Sequence, residues 1–428
     1  MISDKNQHSF FKKLAHAAFV TYLFFITFGT AIPFQPRVTE VEDIGTSNII
    51  NQIVFSLLFI IAVIVIIPRL KQFLTFIMRE KFLSVLFIFC LLSVLWSDYT
   101  FVSFKRVFQL ITSFMVILSF LLYIDSTDEI IKYFKIILLI YIPISFISIA
   151  LIPGAIDPVH HTWRGLTVGK NYLGQTSLLC IIIWAYAARD RNSHQKLLAL
   201  SMMMLSVILL FGSMSMASIV TFSIILFLFL LAMIDKFFKS INVGRTFSVI
   251  VIISAIATIA AIYYSAFEMI ELAFNKMGRD ISFTGRTELW KDLFHLSKDR
   301  MWFGYGFAAF WVFEPINPKL LLLFEKYVWL PNEAHLGYLD IVMQIGVVGL
   351  LLFSIAIAAY FIKLIKLNTT FFGTWLIIAI LILNLQESTL LFPRVFSGEV
   401  FLISYLAFYQ KLAEEKQPIN PLGPRISK

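Results

Sequence analysis

Four short polar segments in an otherwise apolar chain hold the residue types that group transfer requires. The first runs His160, His161, Trp163, Arg164 and Gly165, then Gly169, Lys170, Asn171, Tyr172, Leu173 and Gly174. Its glycines let backbone N–H groups approach an anion, and Arg164 with Lys170 adds positive charge; an interfacial Trp/Arg/Lys anchor would use the same residues. The second, Phe283 to Trp290, places Thr284 as an N-cap and Arg286 at the start of a helix reaching about Leu296. There Arg286 can grip a phosphate through paired N–H bonds where the helix dipole already favours anions, or pair on the surface with Glu288 or Asp292. Leu289, Trp290, Leu293 and Phe294 share one face, to lie on a membrane surface or dock on a bundle. The third, Trp302 to Trp311, is a Gly/aromatic run including Tyr305, suited to sugar C–H faces and to the lipid interface alike. The fourth, Glu333 to Asp340 with Gln344, Gly346 and Gly349 after it, holds His335, a natural general base for a hydroxyl, although a lone His is more often a hydrogen-bonded polar residue. His160 and His161 are adjacent with no third ligand evident, so no metal site is expected.

The elements that must position these segments are membrane helices. The chain is 428 residues, 59% hydrophobic and 14% charged, which excludes an ordinary soluble core. Apolar runs of spanning length lie near 14–32, 48–67, 81–95, 101–123, 131–152, 171–188, 196–211, 215–234, 245–267, 335–362, 370–390 and 394–410. The expected fold is therefore an all-α polytopic membrane protein of about twelve helices. Residues 1–267 form an N-terminal bundle of about nine helices, 268–334 one large extracytoplasmic loop with short helices, and 335–428 a C-terminal bundle of about three helices with a tail. The N-terminal run has Lys5, Lys12 and Lys13 before it but no convincing cleavage site, and reads as a retained first helix. Cys90 and Cys180 each sit inside an apolar run, so neither a disulfide framework nor a thiolate metal site follows.

The net charge of +9 falls in clusters flanking the runs rather than in one stripe, which argues for topology over nucleic-acid binding. Arg69, Lys71, Arg79 and Lys81, then Arg189, Arg191 and Lys196, then Lys236, Lys239 and Arg245, then Lys363 and Lys366 fall on one side. The positive-inside rule makes that side cytoplasmic, with both termini on it and the large loop outside. The acidic connection at Asp125, Asp128 and Glu129 is the exception. No matched pair of Gly/Pro-broken helices and no charge near a span centre points to an ion-coupled carrier, so a lipid-linked glycan flippase or transporter is the weaker alternative.

Taken together, Arg164-Gly165 with Lys170 to Gly174, Thr284 to Trp290, Gly304 to Phe307 with Phe310-Trp311, and Ala334-His335 with Gly337 to Asp340 resemble the ExoQ-like polysaccharide polymerases of the O-antigen ligase superfamily. Trp96-Ser97-Asp98 and Gln386-Glu387-Ser388 extend the resemblance over most of the chain, and Gly346 and Gly349 fit the superfamily's Gly-x-x-Gly eleven residues after its His. Gly169 stands where the family commonly has His, and Leu336 where it commonly has Asn. The resemblance implies a GT-C-like membrane glycosyltransferase of the bacterial cytoplasmic membrane. It would polymerise oligosaccharide repeats carried on undecaprenyl diphosphate by inverting transfer, with no cofactor or metal. A ligase moving glycan to lipid A core or protein is the alternative. It also implies His335 and Arg286 as catalytic residues, and Arg164, Lys170, Asn171, Trp290, Tyr305 and Glu387 as contacts to diphosphate or glycan. Expected partners are the lipid-linked oligosaccharide, the bilayer, a chain-length regulator and a flippase, and no nucleic acid.

Overall fold

The computed structural model describes residues 2–29, 49–158, 161–190, 192–240, 286–313, 316–327, 331–367, 371–392 and 394–415. The run 245–267, the first part of the loop with Thr284, and His160 lie outside the described residues. Each described apolar run closes into a helix, the one local form that satisfies every backbone N–H and C=O within a segment surrounded by lipid. In chain order these are α1 (Ile2–Phe28), α2 (Ile49–Ile66), α3 (Leu70–Arg79), α4 (Lys81–Leu92), α5 (Thr100–Leu121), α6 (Asp128–Leu151) and α7 (Lys170–Ala187). They continue with α8 (Ser193–Gly212), α9 (Met216–Ser240), α10 (Arg286–Ser297), α11 (Pro318–Lys326), α12 (Gly337–Leu367), α13 (Phe372–Leu383) and α14 (Phe396–Glu415).

The chain is an all-helical integral membrane protein. Among the described residues seven helical stretches are long and apolar enough to cross a bilayer: α1, α2 continued into α3, α5, α6, α8, α9 and α12. The stretch from α4 to Trp96 and helix α13 are apolar but shorter. Helices α7 and α14 occupy the sixth and twelfth predicted runs yet fall below that apolarity. Gln175, Thr176 and Ser177 in α7, and Glu399 and Ser404 in α14, are buried among other helices, where a polar side chain meets protein partners rather than lipid. One apolar cluster joins these bundle helices around Phe19, Phe120, Trp184, Phe353 and Tyr405.

The bundle has two distinct ends. At one, Lys12 pairs with Asp125, Arg69 stacks over Tyr123 at 4.0 Å, and Lys135 donates to Gln195. The acidic connection that departs from the charge pattern is thus met by the basic first helix. At the opposite end lie the described parts of the four chemically promising segments.

The described part of the loop carries its own small core, in which Leu289 and Leu293 of α10 and Leu320 and Leu323 of α11 bury against Tyr305, Phe310, Trp311 and Met343. Of the predicted apolar face of α10, Leu289 and Leu293 dock while Phe294 stays 55% exposed. The loop is fastened through the Trp96 to Asp98 corner: Arg300 bonds the Trp96 carbonyl at 3.0 Å and the Asp98 carboxylate at 2.7 Å, and the Trp96 indole donates to the Phe303 carbonyl. Arg106 of α5 donates to the carbonyls of Ala308 and Trp311.

Helix α12 breaks at Ile345 and Gly346, whose φ of +69° leaves the helical region. The break frees main-chain groups that the loop takes up: Tyr305 and Gly306 N–H donate to the Met343 and Gln344 carbonyls, and Val347 N–H donates to the Met301 carbonyl. A Cβ on Gly346 would lie 2.1 Å from the Trp302 oxygen, whereas one on Gly349 would meet only the Ile345 side chain at 2.3 Å. Gly346→Ala is therefore expected to cost roughly 1–3 kcal/mol or more through combined backbone strain and clash, and Gly349→Ala clearly less, read as apparent melting temperature in detergent. Equal losses would show that the break is not what fastens the loop.

Candidate active site at the loop exit

Three connections from distant parts of the chain meet at one cluster. Arg286 opens α10, His335 precedes α12, and Glu387 lies in the turn between α13 and α14. The Arg286 Nη1 donates to the Gln386 carbonyl at 2.8 Å, and its Nη2 stands 3.5 Å from Glu387 Oε1. Asn171, the second residue of α7, donates its Nδ2 to the same Oε1 at 3.0 Å. The His335 Nδ1 lies 2.9 Å from Glu333 Oε1 and 3.7 Å from Glu387 Oε2. Two carboxylates are thus met by a guanidinium and an imidazole, with side-chain exposures of 2–17%.

The position of His335 is over-determined by bonds around it. Its own φ of +52° is unusual for a residue with a Cβ and makes the tight turn into α12. The Trp290 indole donates to the Ala334 carbonyl at 2.8 Å, and Asp340 accepts from the Ala334 N–H and from the Trp311 indole. Leu336 N–H donates to the Ser388 hydroxyl, and Gly337 N–H reaches the Asn384 and Glu387 carbonyls. A side chain on Gly337 would collide with Asn384 Oδ1 at 2.2 Å, so glycine is what lets the turn and the α13–α14 corner touch.

Burial works to lower the His335 pKa, but the hydrogen bonds to Glu333 and Glu387 outweigh it and push it up to about 9. At neutral pH the ring is therefore mostly imidazolium. Glu333, His335 and Glu387 each present one ligand atom, all within 4.8 Å of one another, a geometry that would admit a divalent cation. Arg286 on Glu387 already supplies positive charge at that point.

Arg286, His335, Asn171 and Glu387 of the expected site residues come together here, and Lys170 opens α7 beside Asn171. Trp290 reaches the cluster through the backbone of the His335 turn and acts as a positioning residue in this geometry. Tyr305 differs from its expected role as a glycan contact: it is 3% exposed, packs on Phe310 and donates its hydroxyl to the Leu296 carbonyl. Arg164 donates its Nε to the Gly154 carbonyl of its own connection. Its neighbour Trp163 packs against Gly212, at the end of α8. Glu333 belongs to the fourth segment but carries no signal of its own in sequence; its role emerges only from the 2.9 Å contact.

Residues 201–354 match the O-antigen ligase family model, a stretch that runs from α8 through the large loop into α12 and takes in Arg286, Glu333 and His335. No curated protein matches the chain.

Proposed function

We propose, for a chain whose residues 201–354 match the O-antigen ligase family model, that it polymerises lipid-linked oligosaccharide repeats on the outer face of the bacterial cytoplasmic membrane. The observation that carries the reading is the convergence of Arg286, Asn171, Glu333, His335 and Glu387 at one end of an apolar bundle. An anionic lipid-borne donor can reach that end from the bilayer, and both termini with the basic connections then face the cytoplasm. Twelve crossings, with 268–334 as the outer loop, complete this arrangement.

In the proposed reaction an acceptor hydroxyl oxygen attacks the anomeric carbon of the donor glycan, and the bond from that carbon to the polyprenyl diphosphate oxygen breaks with inversion. The hydroxyl proton passes to His335, and the leaving diphosphate takes Arg286 over from Glu387. Fixed positive charge aimed at a developing anion is usually the largest catalytic term. Asn171 keeps Glu387 in place as Arg286 departs. Arg286 and Lys170 supply the charge that a divalent metal would otherwise bring, so the reading requires neither metal nor nucleotide sugar.

Purified protein incubated with undecaprenyl-diphosphate-linked repeats should yield a ladder of longer glycans, unchanged by a chelator. Folded protein that leaves the repeats single would sink the reading. The matched family's description as a ligase favours a second reading, transfer of finished glycan to lipid A core or protein. Cells lacking a polymerase accumulate single repeats, whereas cells lacking a ligase accumulate long chains on the carrier lipid.

A further inference from the structure

We infer that Arg394 forms a second anion site that holds the diphosphate of the acceptor lipid. The inference rests on the polymerase reading, because that reaction brings together two lipid diphosphates of which only the donor's is released at Arg286. A transfer to a sugar without such a carrier needs one diphosphate site alone.

A cavity of about 290 Å³ opens at the same end of the bundle as the His335 cluster, between the ends of α1, α2, α7 and α14. At the low end of the roughly 300–1,000 Å³ usual for ligand pockets, it suits a headgroup rather than an oligosaccharide. Arg394 lines it together with Asn51, Thr167, Tyr172 and Thr176 in a wall that is otherwise largely apolar, with Phe25, Phe28 and Phe55 among its members. Arg394 sits at φ +70° just before α14, and its backbone N–H is tied to the buried Glu399 carboxylate at 2.9 Å, which fixes where its side chain starts. Among the described residues lining the cavity Arg394 is the charged one, which favours an anion there.

The cavity also borders the reaction centre. Tyr172 forms part of its wall and lies within the field of both Glu333 and Glu387. A headgroup beside Arg394 would therefore place the first sugars of its glycan next to Tyr172 and within reach of the His335 cluster. Arg286 is not among the residues lining the cavity, so each carrier would have its own cation.

The test uses the full chain in nanodiscs with farnesyl diphosphate as the probe. Wild type should bind two equivalents, Arg286→Ala and Arg394→Gln one each, and Arg394→Lys should restore part of the second. One equivalent in wild type, untouched by Arg394→Gln, overturns the site, as does displacement of the second equivalent by phosphatidylglycerol at matching concentrations. With lipid-linked repeats, Arg394→Gln should raise the KM for the acceptor about tenfold or more, as expected for loss of a charge-assisted contact, with the KM for the donor unchanged. A ladder formed with an unchanged acceptor KM sinks the site but spares the polymerase reading. Two bound equivalents without any ladder would do the opposite.

Discussion

Arg286→Ala is expected to reduce chain growth by about 10²–10³-fold or more while the protein accumulates normally, because the residue acts on the leaving diphosphate and not on the core. Its side chain is 17% exposed, and the bonds it gives up are one to the Gln386 carbonyl and one long contact to Glu387. Glu387 keeps Asn171 and the neighbouring His335 when Arg286 is removed, so no isolated buried carboxylate results. Arg286→Lys should recover little, since an ammonium cannot reproduce a two-pronged grip on phosphate. His335→Ala should be as severe, about 10²–10⁴-fold, through loss of the proton acceptor. The measurement is glycan ladder formation per folded protein, with melting temperature as the control. Full activity in both variants would refute the assignment.

The parts of this site legible in sequence are those announced by local chemistry. Arg286 at a helix start, Asn171 behind a glycine and His335 in a Gly-rich re-entry were each visible within a few neighbouring residues. Their meeting at Glu387 was not, because Arg286 and Glu387 are about a hundred residues apart and no periodicity encodes that contact. The same limit explains Tyr305. An aromatic residue between glycines reads equally as a sugar platform and as packing, and the outcome depends on the break at Gly346, whose freed carbonyls draw the Gly304 to Gly306 backbone inward. No local pattern in the sequence singles out Glu333, Arg106 or Arg394. They acquire roles only when the large loop folds onto α5 and the turn before α14 folds back toward the cavity. The helices themselves were readable almost throughout, since lipid makes length and apolarity the deciding terms. The more polar α7 and α14 show that a helix packed among other helices can bury polar side chains that a lipid-facing one could not.

The ionisation of His335 gives the second prediction. A proton acceptor must be neutral, yet Glu333 and Glu387 hold this ring as imidazolium with a pKa of about 9. At pH 7 only about one molecule in a hundred then carries a competent base. The kcat/KM for chain growth, which reports the free enzyme, should rise about tenfold per pH unit above 7 and level off near 9. Glu333→Gln removes the negative charge 2.9 Å from the ring and should move the knee to lower pH. Stability should run the other way. A histidine whose folded pKa is raised contributes stability that is complete below its unfolded value near 6.5 and is lost as pH climbs through 9. Rate and melting temperature are thus expected to diverge over the same window, and both changes should shrink in Glu333→Gln. A profile flat from pH 7 to 9 would remove His335 as the base and shift that role to a carboxylate. A rising rate with a level melting temperature would instead place the titrating group elsewhere, because only a ring held charged by its partners couples the two.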